Sequence, residues 1–538
     1  MASRTWQETV SLKQRELRDS IPREWIDDNL KVDMISKGLV NTREYLDDIL
    51  PEEEKSITSR TIMELSQAIG NGELTALEVT KAFTHRAMLA HQILNCCSEI
   101  FINQALERAE ALDTIFKETG KTVGPLHGIP ISLKDQVDLK GIASALGYVS
   151  RCHDKKDENS LLADKLLEMG AIFYVKTCVP MAMMAPETGT NLFPYTYNAL
   201  NINLSSGGSS GGEGALIAAG GARVGFGTDI GGSIRIPASY NGIYGIKPSV
   251  GRVSYLRVSN SYANQECIPS VIGPLAQTLE ELEFTLKLVV DSKCWLQDPK
   301  VLPIGWTQYT IPSEKLKIGI WFDSGDVEPM PAIKRTLKEI YGSLSKSDNF
   351  EVVKVEWPEH QRLIKALFDV YGADASKEIM NECAKSGEPL HRLLDYLMDP
   401  ENKTSPLTIN QWWELCNEVY LIKAKYLEFW CGNQLDAIIA PVMAQTQVKP
   451  YSVSSLDYTG VCNLCDCSSV VIPLNKVDPI KDTLIVRGTR SDLEKSIRDQ
   501  YDVQAVDKMP VCVQIITRKL EEEKGLAIAS LVQKVVKG

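Results

Sequence analysis

One glycine-rich segment constrains this chain more than any other feature of its sequence. Residues 201–248 contain 13 of the 36 glycines within 48 positions. Ordering a glycine costs more backbone entropy than ordering any other residue, so such a segment is tolerated mainly where backbone must pack closely against something else. Two blocks stand out in it, GGSSGGEG from Gly207 and GTDIGGSIRIP from Gly227. The segment therefore predicts an ordered site and not a linker.

The composition excludes several classes of protein. The chain has 538 residues, of which 44% are hydrophobic and 24% charged, as in soluble globular proteins. A net charge of −12 argues against a broad nucleic-acid surface, which needs clustered Lys and Arg. We find no apolar signal segment at the N-terminus and no uncharged apolar run of the roughly 18 residues that a membrane span needs. With 13 cysteines, an odd number, free thiols and a cytoplasmic location are expected.

The pattern of apolar residues predicts two parts. Residues 1–55 mix apolar and charged positions and predict an N-terminal helical arm, and residues 56–538 are expected to form one catalytic domain. Thr75-Ala-Leu-Glu78 has the form of a capping box and predicts a helix start. Short β-branched runs at 171–175, 317–322, 437–440 and 511–517 alternate with amphipathic stretches. This alternation predicts an α/β fold with a mixed sheet covered by helices on both faces.

Two familiar interpretations of the glycine-rich segment are weak. G-x-G-x-x-x-G from Gly225 is one residue too long for a dinucleotide fingerprint, and the chain has no G-x-x-x-x-G-K-[ST] phosphate loop. Gly207 to Gly211 fits the G-x-S-x-G nucleophile elbow, which needs a downstream histidine. The two candidates, His360 and His391, lie in helix-like stretches, and we expect solvated helix-face side chains at both.

A serine activated by a lysine is the third interpretation. A serine hydroxyl needs a base before it becomes a good nucleophile, and a neutral lysine can serve if burial lowers its pKa. Lys134 follows the apolar run 129–133, so the sequence offers such a lysine. Taken alone, Lys134 is better explained as a surface charge at the end of a strand.

Other motifs are discounted. Cys462-x-x-Cys465-x-Cys467 has no second Cys or His pair nearby, so buried core thiols are expected and not a zinc site. Ser343-x-x-Lys346 lacks the K-T-G motif of the serine hydrolases that use S-x-x-K. We therefore predict neither a metal nor a cofactor.

Two longer blocks resemble those of the amidase signature family, the Ser-cisSer-Lys hydrolases. GGSSGGEGALIAAGG from Gly207, followed by GTDIGGSIRIPA from Gly227, matches the serine block, and GPLHGIPISLKD from Gly124 matches the lysine block. PVCVQIITRKLEEEKGLAIA from Pro510 is similar to the usual ending of the family. The resemblance covers residues from about 60 to the C-terminus, and it is strongest to fungal acetamidase-like general amidases, with fatty-acid amide hydrolases next.

The resemblance implies a role for each matching residue. Ser233 would be the nucleophile, Ser209 the bridging serine after a cis peptide bond, and Lys134 the base. The backbone N–H groups of Ile230, Gly231, Gly232 and Ser233 would form an oxyanion hole, and Met183 would present its carbonyl to substrate. Ser210, Thr228, Asp229 and Arg235 would hold the loop.

The expected function is hydrolysis of small monocarboxylic amides, acetamide-like or aromatic, to carboxylate and ammonia. Three rivals stay open. The first is an amidotransferase A-type subunit, although Ile236 stands where that subunit usually has glutamine. The second is a fatty-acid amide hydrolase-like enzyme on a membrane, and the third is an inactive binding relative. No nucleic-acid partner and no membrane span are expected. The oligomeric state stays open, although dimers are common in the family.

Overall fold

The computed structural model describes residues 4–263, 265–398, 405–453, 455–485 and 487–537. Over these residues the helices are α1 (Trp6–Asp19), α2 (Leu30–Ser36), α3 (Thr42–Ile49), α4 (Glu52–Ser59), α5 (Ile62–Gly70), α6 (Ala76–Leu94), α7 (Ile102–Thr119), α8 (Leu161–Glu168), α9 (Gly211–Ala218), α10 (Arg235–Tyr240), α11 (Leu279–Asp291), α12 (Pro331–Leu344), α13 (His360–Tyr371), α14 (Lys377–Ser386), α15 (Ile409–Gly432), α16 (Gly460–Leu464), α17 (Asp492–Asp499) and α18 (Glu522–Lys537).

A single sheet of eleven strands runs through the described residues. The strands are β1 (Cys97–Ile100), β2 (Pro130–Lys134), β3 (Ile172–Thr177), β4 (Val224–Asp229), β5 (Tyr244–Lys247), β6 (Val271–Ala276), β7 (Leu316–Trp321), β8 (Phe350–Val355), β9 (Ala437–Pro441), β10 (Ser468–Lys476) and β11 (Pro510–Thr517). Their order is β1-β3-β2-β4-β6-β5-β10-β11-β9-β7-β8. Parallel pairs such as β2 with β4 occur beside antiparallel pairs such as β5 with β10, so the sheet is mixed.

Helices cover both faces of this sheet. Successive side chains of a strand point to opposite faces, so neighbouring residues should enter different cores. On β9, Ile439 belongs to a core that also contains α11, α12 and α18, whereas Ile438 belongs to one that contains α13, α15 and α16. On β3, Phe173 joins the first core and Tyr174 a third, which holds α1, α6 and α9. The predicted α/β architecture is confirmed.

Several local predictions are confirmed as well. Thr75 caps α6 with a complete capping box, in which its hydroxyl accepts from Glu78 N–H. The four β-branched runs coincide with β3, β7, β9 and β11 to within two residues at their ends. Ser343 lies in the last turn of α12 and Lys346 just beyond its end, and neither is buried.

Residues 4–55 are mostly helical, and several of their apolar side chains are buried while others, such as Val32 and Ile35, are exposed. Leu17, Met34 and Leu46 enter the same core as Ala87 and Met88 of α6. The arm therefore shares a core with the region that we predict to be the catalytic domain.

Within the described part of the chain, no helix combines the length and the apolar character needed to cross a membrane.

The shared core makes a stability prediction for the arm. Leu46 of α3 is fully buried, and Leu→Ala in such a site costs about 2–5 kcal/mol, so Leu46→Ala should lower the midpoint of thermal unfolding of the whole chain. Ile35 of α2 is 53% exposed and supplies the matched control, since Ile35→Ala should change little. Scanning fluorimetry of both variants makes the comparison. Equal midpoints would mean that the arm does not stabilise the rest of the molecule.

Candidate active site

Lys134 ends β2, an interior strand between β3 and β4, and is fully buried. Its Nζ lies 2.7 Å from Ser209 Oγ and 2.6 Å from Thr228 Oγ1. Burial lowers the pKa of Lys134 to about 7, although the negative charge of Asp229 opposes the shift. The alternative of a surface charge is thereby excluded, and the amine can be neutral near physiological pH.

A hydrogen-bond chain orients this amine. The Gln136 amide donates through Nε2 to Tyr255 OH at 2.7 Å and to the Ser259 carbonyl at 3.0 Å, which fixes its oxygen toward Thr228. Thr228 Oγ1 donates to that oxygen at 2.7 Å, so it can only accept from Lys134. A neutral lysine that donates to Thr228 can then direct its lone pair at the Ser209 hydroxyl.

Ser209 and its neighbour connect the two serine blocks. The peptide bond between Gly208 and Ser209 is cis, as the resemblance implies. Ser209 is buried, and the N–H of the next residue, Ser210, donates to the Ser233 carbonyl at 3.0 Å. Ser210 also contacts Thr228 through its hydroxyl, which lies 3.3 Å from both the Thr228 carbonyl and its N–H. The predicted residues therefore converge on one place.

Ser233 lies two residues before α10 and borders a pocket. It is 8% exposed, and its hydroxyl has no hydrogen-bond partner among the residues described. Most of the pocket is apolar, and it is lined by Met183, Met184, Ala185, Pro186, Ile230, Gly231, Ser233, Ile236, Tyr371 and Leu456. Met183 and Ser233 thus line the same pocket.

The prediction of four backbone N–H groups in an oxyanion hole needs one correction. Within the described ranges, the N–H groups of Ile230, Gly231 and Ser233 have no acceptor. The N–H of Gly232 instead donates to Asp229 Oδ1 at 2.8 Å, so it is not free for a substrate oxygen. Gly232 is required for a different reason: its φ is +131°, and a Cβ there would lie 2.6 Å from Thr459 Oγ1.

A buried ion pair holds the loop between β4 and α10. Arg235 donates to both carboxylate oxygens of Asp229 at 3.0 Å, and Asn463 donates to the same carboxylate at 2.8 Å. Arg235 also donates to the Thr459 carbonyl at 2.9 Å and to Gln514 Oε1 at 3.0 Å. Burial alone would raise the pKa of Asp229, but the Arg235 guanidinium outweighs it and holds that pKa well below its usual range.

Three residues near the site escaped the sequence analysis. Gln136 and Thr459 stand in no motif that we recognised, and Thr459 donates to the Gly231 carbonyl at 2.6 Å. Glu213 accepts from Ser132 at 2.6 Å and from Thr177 at 2.9 Å, and burial raises its pKa to about 8. The signal for Glu213 was a single acid in the otherwise uncharged stretch GGEGALIAAGG.

The expectation for the two downstream histidines was wrong. Both are buried and not solvated. Burial lowers the pKa of each to about 4. His360 packs edge-on against Trp321, with ring centroids 5.3 Å apart, and His391 accepts from Leu393 N–H at 3.3 Å. Neither histidine has a described hydrogen bond to Ser209 or Ser233, so the nucleophile-elbow interpretation lacks the general base that it requires.

The cysteines give a mixed outcome. Cys462 and Cys467 are buried core thiols, as predicted, and Cys465 is partly buried. The sequence analysis missed another cluster, however. His91, Cys96 and Cys97 bring their potential ligand atoms within 4.8 Å of one another.

Comparisons with known proteins agree with this geometry. The profile of the family described as Amidase matches residues 78–526. A probable amidase of Saccharomyces cerevisiae is 39% identical, with 98% of each chain covered, and an acetamidase of Aspergillus oryzae is 38% identical over the full length of both. A solved structure of a fatty acid amide hydrolase superimposes with a TM-score of 0.93 at 32% identity, covering 99% of this chain and 95% of that one.

The buried ion pair makes a prediction about loop stability. Arg235→Met would leave the Asp229 carboxylate buried without its counter-ion, and breaking such a pair typically costs about 3–5 kcal/mol. Arg362, whose side chain is 43% exposed and paired with Glu418, supplies the control, because surface pairs contribute about 0–1 kcal/mol. In denaturant unfolding, Arg235→Met should therefore lose much more free energy of unfolding than Arg362→Met. Similar losses in the two variants would contradict a structural role for the Asp229–Arg235 pair.

Proposed function

We propose, since this chain belongs to the amidase family, that it hydrolyses small monocarboxylic acid amides to carboxylate and ammonia through an acyl-enzyme on Ser233. The observation that carries the proposal is the contact between Lys134 Nζ and Ser209 Oγ at 2.7 Å, beside a serine that faces an apolar pocket. A buried lysine with a pKa of about 7 is a base that operates near neutral pH.

In the proposed acylation, Ser233 Oγ attacks the carbonyl carbon of the amide. Its proton passes to Ser209 as Ser209 gives its own proton to Lys134. When the C–N bond breaks, the proton returns from Lys134 through Ser209 to the leaving nitrogen, and ammonia departs. Water then repeats the sequence against the acyl ester, which releases the carboxylate and restores Ser233.

The developing negative oxygen would be stabilised by the N–H groups of Ile230, Gly231 and Ser233. One such donor contributes about 3–4 kcal/mol to lowering the barrier. Tyr371 supports this role, because it donates to the Ile230 carbonyl at 2.5 Å and so holds the peptide plane that carries the Gly231 N–H. We assign to Met183, which lines the same pocket, a carbonyl that would accept from the substrate NH₂.

The substrate assignment draws on the relatives and on the pocket. Two relatives named acetamidase, at 38% and 36% identity, support a short acyl group. The apolar lining supports an uncharged acyl group, aliphatic or aromatic. The fatty acid amide hydrolase structure favours longer amides as the second candidate. A cytoplasmic location and a homodimer stay predictions of the sequence.

A panel of amides tests the proposed activity. Purified enzyme should release ammonia from acetamide, propionamide or benzamide with a higher kcat/KM than from oleamide. Ser233→Ala should abolish both ammonia release and labelling by a fluorophosphonate, because the acyl-accepting oxygen is lost. A preference for oleamide would favour the second candidate. Labelling of Ser209 in a peptide map, or a folded enzyme without turnover on any amide, would overturn the proposal.

The pKa of Lys134 sets the expected pH dependence. A lysine base is active only when neutral, so kcat/KM should rise with pH through about 7 and stay high in the alkaline range. Lys134→Arg should lose about 10²–10⁴-fold in kcat, since a guanidinium does not deprotonate. Lys176, also buried but bonded to the Ala143 carbonyl and to Ser144, gives the control. Lys176→Arg should keep the wild-type dependence of kcat/KM on pH, even if its kcat is lower. Near-normal turnover by Lys134→Arg would contradict the proposal, because it would show that position 134 supplies only a positive charge and accepts no proton.

A further inference from the structure

The end of α6 and the start of β1 bring three metal-binding side chains together. His91 lies in the last turn of α6, which ends at Leu94. Asn95 then adopts a left-handed conformation, with φ 56° and ψ 47°, and its N–H donates to the His91 carbonyl at 2.8 Å. This reversal returns the chain toward the imidazole ring, so that Cys96 and Cys97 lie beside it. The three possible ligand atoms are within 4.8 Å of one another.

The spacing of the two sulfurs suits a shared metal ion. The Sγ atoms of Cys96 and Cys97 are 3.9 Å apart, and both residues are free thiols. A disulfide would need about 2.05 Å. Tetrahedral zinc with bonds of about 2.3 Å to sulfur places two thiolates about 3.8 Å apart. The sulfurs therefore already have the separation that coordination to one ion requires.

The imidazole is also prepared for coordination. Its Nδ1 accepts the N–H of Cys97 at 3.1 Å, which leaves that nitrogen unprotonated and directed toward the cysteines. Metal binding would exchange this hydrogen bond for a coordination bond. His91 and Cys97 also line a cleft beside the N-terminal arm, which gives an ion a path to the site.

The two cysteines lie in the interior of the protein. Cys96 and Cys97 are fully buried. Two thiolates in such a place would be stabilised by a divalent ion.

We propose that His91, Cys96 and Cys97 form a zinc site with its fourth position open toward the cleft. Two thiolates and an imidazole are soft and borderline ligands, which favour Zn²⁺ over Mg²⁺ or Ca²⁺. The site shares no residue with the pocket at Ser233. It joins the end of α6 to β1, and the Cys96 carbonyl accepts from Cys178 N–H at 2.8 Å at the end of β3. Zinc would therefore act on the stability of this corner and not on the chemical step.

Metal uptake tests the proposal. Protein stripped with a chelator under reducing conditions is incubated with ZnSO₄, desalted and analysed by mass spectrometry of the metal. Wild type should retain about one zinc more per chain than the Cys96→Ser/Cys97→Ser double variant, and His91→Gln should retain less than wild type. Cys431→Ser, at an exposed cysteine, is the matched control and should behave as wild type. No retained zinc in wild type, or equal retention in the double variant, overturns the site.

A measurement on wild type alone guards against misfolding of the double variant. X-ray absorption at the zinc edge should show two sulfurs at about 2.3 Å and a nitrogen at about 2.0–2.1 Å. Replacement of zinc by Co²⁺ should give a thiolate-to-cobalt charge-transfer band. A shell of nitrogen and oxygen only, or a disulfide between Cys96 and Cys97 in the reduced and zinc-treated protein, would refute the proposal.

Discussion

The structure around Ser233, the proposed nucleophile, depends on one buried ion pair. Asp229 ends β4, and its carboxylate accepts from Arg235, from Asn463 and from two backbone N–H groups of the loop, those of Gly232 and Ile234. Both partners of the pair are fully buried, where an unpaired charge is costly and a satisfied one is rigid. The loop that carries Ser233 is therefore held by its own sequence neighbours and by residues more than 200 positions away.

The same dry interior has opposite effects on two nearby groups. Burial lowers the pKa of Lys134 and raises that of Glu213, so each is driven toward its neutral form. A neutral lysine can accept a proton, and a neutral glutamic acid reduces the attraction that would otherwise keep the lysine charged. The hydroxyl groups of Ser132 and Thr177 satisfy Glu213 and hold it in place. Protonation equilibria and packing are thus determined together in this region.

The sequence predicted those parts of the site that lie in continuous motifs. Lys134, Ser209 and Ser233 each stand in a recognisable block, and Thr75 and the β-branched runs marked element boundaries through local chemistry. Gln136, Thr459 and Gln514 could not be predicted, because their contacts depend on the order of strands in the sheet, which brings distant segments together. Burial is equally non-local, which is why helical periodicity near His360 suggested a solvated ring. The cluster at His91 was missed because its spacing, H-x₄-C-C, becomes meaningful only once a left-handed turn folds it back.

The strand order has a consequence for synthesis of the chain. Strands β1 to β6 form one side of the sheet and β7 to β11 the other, joined where β5 pairs with β10. Arg235 is therefore completed by Thr459, Asn463 and Gln514, which lie more than 200 positions later in the chain. A ribosome makes the loop of Ser233 well before it makes these three partners. In the nascent polypeptide the Asp229–Arg235 pair therefore lacks part of its support until β11 has been synthesised.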